Sequence, residues 1–201
     1  MAAVLDGASF AFLQEIAKNN NRSWFEAHKE TFKEHQNKVK AFFGQVALNM
    51  AAYDEIEKMK MFRIYRDVRF SKDKSPYKTQ FAASFSRAGA ERRGGRFICI
   101  KPGGSFIAAG FWNPNKEDLF RIRKELELDA SEFREVIDDP SFSEIWGDLG
   151  GEAVKTAPKG FDKNHPDIEL IRFKQFIFTK YFTDSEVLSK DFLSEIGTAF
   201  K

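Results

Sequence analysis

Apolar residues recur at steps of three and four up to Met50 and at steps of two through the middle of the chain, a change of period that separates helices from strands. Phe12, Leu13 and Ile16 mark one side of a short helix from Ser9 to about Lys18, and Asn19-Asn20-Asn21 suits its end. A longer helix is expected from Ser23. Along it Phe25, His28, Phe32, His35, Val39, Phe42, Phe43, Val46 and Met50 form a single stripe. After Met61 the alternation of Phe62, Ile64, Val68 and Phe70 with Arg63, Tyr65, Asp67 and Arg69 predicts a strand. Arg66 interrupts its apolar side, which calls for either a bulge, the favoured reading, or burial against a carboxylate. Phe81, Ala83 and Phe85 read as the next strand. Arg96 to Lys101 and Ser105 to Trp112 read as a hairpin around Pro102-Gly103-Gly104.

The period returns to helical beyond Asn113-Pro114-Asn115, with Leu119, Ile122 and Leu126 on one face and a second short helix over Ser131 to Asp138. Asn164 as cap and Pro166 at the first helical position predict a helix running to about Phe173. Phe176, Ile177, Phe178, Tyr181 and Phe182 suit a buried strand, and Asp184-Ser185 opens a last helical tract to near Phe200. Segregated helices and strands point to an α+β fold: a mainly antiparallel sheet of about four to five strands packed against helices, with a long N-terminal helix and C-terminal helices. At 201 residues, with no linker or repeat, the chain is expected to be a single domain, residues 1–201. Twenty-three Phe residues supply enough apolar area for a core without disulfides or metals.

Charge adds what periodicity does not show. From Lys58 to Lys101 there are thirteen Lys and Arg against three acidic residues, while the rest of the chain is acidic on balance. Such a field attracts phosphates, carboxylates or nucleic acid. The lone Cys99 allows no internal disulfide, no secretory signal pattern opens the chain, and no apolar run reaches the length of a bilayer span, so a cytoplasmic protein with no membrane partner is expected.

Several strings together are specific. Asn19 to Phe25 (NNNRSWF), Arg63 to Lys78 (RIYRDVRFSKDKSPYK) and Pro158 to Pro166 (PKGFDKNHP) resemble those of the bacterial and fungal family numbered 2461 among domains of unknown function, and the likeness extends over nearly the whole chain. The resemblance implies a single cytoplasmic domain and transfers no catalytic residue, cofactor or substrate.

Within the central string, Arg63, Arg66, Arg69, Lys72, Lys74 and Lys78 face two carboxylates, Asp67 and Asp73, so the cations outnumber their local partners. Guanidiniums suit bidentate contact with oxyanions, and Tyr65, Ser71 and Tyr77 would orient a ligand. Lys159, in the Lys-Gly turn before a helix start, is a further candidate for anion contact, although a rigid capped loop explains that segment better. Asp67 and His165 are the groups suited to proton transfer, should any chemistry occur. His28 and His35 share a helix face without a zinc ligand set and read as structural, and Cys99 reads as packing. The gathered expectation is a binder of an anionic small molecule at a basic cleft. The alternatives are a nucleic acid module using the same segment and a scaffold for an acidic protein partner. No metal and no named cofactor are assigned.

Overall fold

In a computed structural model of the chain, residues 5–89 and 91–201 are described. The first is α1 (Gly7–Lys18), capped by the Asp6 carboxylate, which accepts the Ser9 N–H at 2.8 Å. It ends at the Asn19-Asn20-Asn21 break, where the Asn21 side chain caps α2 (Arg22–Ala27). His28 separates α2 from α3 (Lys29–Met50), so the expected long helix is broken one turn after its start. Apart from half-buried His28, the predicted stripe is buried throughout.

Five strands follow: β1 (Ile56–Met61), β2 (Phe81–Arg87), β3 (Gly95–Ile100), β4 (Ser105–Phe111) and β5 (Phe176–Phe182). They form one antiparallel sheet in the order β1-β2-β3-β4-β5, with β1 and β5 at the edges. Between β4 and β5 come α4 (Lys116–Leu128), α5 (Ser131–Ile137), α6 (Pro140–Trp146) and α7 (Ile168–Ile171), and after β5 come α8 (Asp184–Val187) and α9 (Phe192–Phe200). The α+β expectation holds, with its antiparallel sheet, long N-terminal helix and C-terminal helices.

The strand predicted over Phe62 to Phe70 is not formed. The pairing strand is β1, upstream of it, where Met59 and Met61 register with Phe85 and Ala83 and a bulge falls between Ile56 and Lys58. Residues 62–80 are an excursion between β1 and β2. Its two limbs are tied by Lys78 N–H to Ile64 C=O at 2.7 Å, Arg66 N–H to Pro76 C=O at 2.9 Å and a Tyr65–Tyr77 bridge. The alternation there was misleading because its apolar members do different work: Ile64 is buried, whereas Phe70 is 95% exposed. The helix expected from Pro166 also differs. α7 begins only at Ile168, and Asn164 donates its N–H to Asp162 instead of capping.

The chain divides into two compact units, one running to Ile107 and resuming with Tyr181–Lys201, the other Ala108–Lys180. In the first, Phe32 and Phe43 of α3 meet Phe81 and Phe85 of β2 at 5.9 and 6.5 Å between ring centroids, and Phe192 of α9 stacks on Phe42 at 5.7 Å. The turn after α3 is anchored by Asp54, whose side chain is only 5% exposed. It receives Arg96 at 2.6 Å and Arg87 at 2.8 Å. Burial alone would raise the Asp54 carboxyl, but the two guanidiniums outweigh it and hold it below the usual range. The second unit has its own core of Leu126, Ala130, Leu170, Ile171 and Phe176.

Candidate functional site

The 62–80 excursion is held against the N-terminal helices by two contacts. Tyr77 is buried and its ring stacks on Phe25 of α2 at 3.9 Å. The Asn20 side chain then pairs with the Tyr77 backbone as a strand would, donating to its carbonyl and accepting its N–H, both at 3.0 Å. An amide side chain carries both a donor and an acceptor, so it can complete one residue of ladder where no strand is available. Below this clamp lies a cleft of ≈ 510 Å³, lined on one side by Ala17 and Asn20 and on the other by residues of the excursion, including Arg66, Asp73, Ser75, Lys78 and Thr79.

The predicted cations of the excursion have separate fates. Arg66 is ion-paired with Asp73. Asp73 also accepts the Ser75 N–H at 2.9 Å and the Ser75 hydroxyl at 2.6 Å. The Ser75 hydroxyl and N–H, with Arg66, hold its carboxyl well below the ordinary range. Arg69 grips Asp67, with Nη2–Oδ2 at 2.7 Å and Nε–Oδ1 at 3.0 Å, and lowers that carboxyl too. Lys74 donates to the Val68 carbonyl at 2.9 Å and Lys78 to the Arg63 carbonyl at 3.0 Å. Among the described residues Arg63 and Lys72 have neither an ion pair nor a hydrogen-bond acceptor. A carbonyl shares a proton but cancels no charge, so two carboxylates still stand against six cations from Arg63 to Lys78.

Of the residues named from sequence, Arg66, Asp67, Tyr77 and Lys78 line the cleft. Ser71 lies at the edge of the same network, its hydroxyl 3.4 Å from Arg66. Tyr65 is half-exposed and rests edge-on against Phe25, while Phe70 stands in solvent with the Arg69 guanidinium 5.9 Å from its ring centre. Five further lining residues, Ala17, Asn20, Ser75, Thr79 and Gln80, are not among the candidates that the sequence offers. In the sequence the Asn run signals only a helix end, and no periodicity marks a side chain that substitutes for a strand.

Lys159 and His165 belong to the second unit. Lys159 is exposed. His165 accepts the Asp167 N–H on Nδ1 at 3.1 Å and donates from Nε2 to the Glu127 carbonyl at 3.0 Å, so both nitrogens are occupied with backbone. In the first unit His35 donates from Nδ1 to Ser9 Oγ at 3.1 Å, and His28 donates to the Trp24 carbonyl at 2.7 Å. Cys99 is buried, and its burial pushes the thiol up to about 11, away from nucleophilic use. Among the described residues no group of three metal-binding side chains gathers, and no helix is long and apolar enough to cross a membrane.

No curated protein and no solved structure matches the chain significantly. A family described as conserved hypothetical protein (DUF2461) matches residues 8–201, and the chain belongs to that family.

Proposed function

We propose that the protein binds a small anionic ligand, bearing a phosphate or a carboxylate, in the cleft between Asn20 and the 62–80 excursion. One observation carries this reading. The Ser75 N–H, the Ser75 hydroxyl and the Arg66 guanidinium already converge on a carboxylate in the cleft wall, and that carboxylate is Asp73 of the chain itself. The donor set is therefore arranged for an oxyanion, and the exposed Asp73 occupies it. An ion pair open to solvent is weakly held, so an incoming anion of similar shape exchanges with Asp73 at small cost. Lys78 and Thr79 lie along the same wall. The positive surplus of the excursion draws the ligand in. This is a binding role, and neither Asp67 nor His165, each already engaged, is given a catalytic one.

Melting temperature measured against phosphate, pyrophosphate and citrate, with chloride at matched ionic strength, tests the reading. A specific ligand raises the midpoint progressively with concentration. The Arg66→Gln/Lys78→Gln double variant loses that rise. Asp73→Asn, which removes the internal competitor, moves the response to lower ligand concentration. Equal midpoints in all anions, or an Asp73→Asn response identical to that of the parent protein, contradict it.

A further inference from the structure

The outer face of the sheet, opposite α3, carries a row of aromatic rings. Register places Met59, Met61, Ala83 and Phe85 on the face toward α3, which leaves Lys58, Lys60, Ser84, Ser86 and Phe97 on the other. Phe62, just after β1, lies 5.9 Å from Phe97 on β3. Phe97 lies 5.7 Å from Phe106 on β4, and Phe106 lies 5.8 Å from Tyr181 on β5. Adjacent strands are about 4.8 Å apart, so Phe62 and a ring on β3 meet only if β2 between them carries small side chains. Ala82, which accepts the Phe62 N–H, and Ser84, opposite Phe97, meet that condition. Tyr181 is 73% exposed, and Phe62, Phe97 and Phe106 are half-buried.

Ammonium groups frame one end of this row. Lys60 and Lys78 place their Nζ atoms 5.7 and 5.6 Å from the centre of the Phe62 ring, and exposed Lys58 projects from the same face of β1. No Asp or Glu occupies an outward position in the β1–β2–β3 register, and the nearest carboxylate in sequence, Glu57, falls in the bulge of β1.

We propose that this face binds single-stranded nucleic acid, with bases stacking on the Phe62–Phe97–Phe106–Tyr181 row and the backbone passing along Lys58, Lys60 and Lys78. Regular ring intervals suit successive unpaired bases, which present a π-face whatever their identity. The lysines supply the charge complementarity that a phosphate backbone requires. A duplex hides its base faces, so it can use only the lysines. The ring row, Lys58 and Lys60 lie outside the cleft lining and only Lys78 is shared with it, so the proposal stands whether or not the cleft binds an anion.

Fluorescence anisotropy with labelled oligothymidylate and oligouridylate of about 15 nucleotides, and a duplex of the same length, decides the matter. The expected result is saturable binding of the single strands at low salt, at least about tenfold tighter than the duplex, with the two arms showing whether the sugar is distinguished. Tyr181→Ala, at an exposed position, weakens binding about five- to hundredfold while leaving the salt slope unchanged, and Tyr181→Phe restores it. Lys60→Gln lowers the salt slope by about 0.7. The proposal is overturned if no single strand binds, if duplex or inorganic polyphosphate competes as well as the single strand, or if Tyr181→Ala binds like the parent protein.

Discussion

At Asp6 one carboxylate serves three partners. It caps α1, accepts the Ser9 hydroxyl at 2.6 Å and pairs with Lys38 of α3 at 2.8 Å, while Ser9 in turn receives His35. Burial acts to raise its carboxyl, but Lys38 and Ser9 prevail and bring it from 3.8 down to about 2. A carboxyl lowered by folding stabilises the native state above its unfolded value, and that stability disappears as pH falls through the folded value. The chain is therefore expected to lose melting temperature between about pH 4 and pH 2 partly through Asp6, and Asp6→Asn to show a flatter profile there with a lower plateau near neutrality. A calorimetric pH series on both proteins checks this, and parallel profiles would count against it. At this scale the sequence showed residue type but not partnership. Nothing in the spacing of Asp6, Ser9, His35 and Lys38 announces a chain of hydrogen bonds across two helices, just as nothing announced that Asp73 would occupy the oxyanion position beside Ser75.

Among the elements, α6, the break at His28 and the late start of α7 were not legible in the sequence, whereas α1, the body of α3, α4, α5 and β2 to β5 were, because period and turn or cap signals agree there. β1 was not. Its bulge breaks the alternation of Ile56 to Met61, and the stretch after it alternates more regularly without being a strand. The excursion depends instead on Asn20 and Tyr77, which are distant in sequence. Asn20→Ala is expected to loosen residues 62–80 and expose their six Lys and Arg to trypsin, speeding cleavage there at least about tenfold with little change in the global melting temperature, because the core of α3 and the sheet is untouched. Digestion timed by mass spectrometry reads this directly. A second element depends on one glycine. Gly110 in β4 has φ +134° and its backbone passes so close to β5 that a Cβ would fall 2.0 Å from the Phe176 carbonyl oxygen. Gly110→Ala is expected to cost about 3 kcal/mol or more, seen as a melting temperature lowered by about 6–12 °C. Unchanged stability would mean that β4 and β5 are not held at that distance.

For the whole molecule, the excess of positive charge in the middle third was evident from composition, and the structure distributes it. Arg87 and Arg96 are anchored on Asp54, and Arg66 and Arg69 on their own neighbours. Lys58, Lys60, Arg63 and Lys72 remain outward. Charge count alone cannot separate a neutralised cation from one available to a ligand, since that depends on which carboxylates the fold brings within reach. The most direct measurement is a titration of isotope-labelled protein with pyrophosphate, followed by amide chemical shifts. The account predicts saturable shifts concentrated on Ser75, Lys78, Thr79 and Gln80. Shifts that do not saturate, or that centre on the lysines of β1 while the cleft amides stay fixed, contradict it.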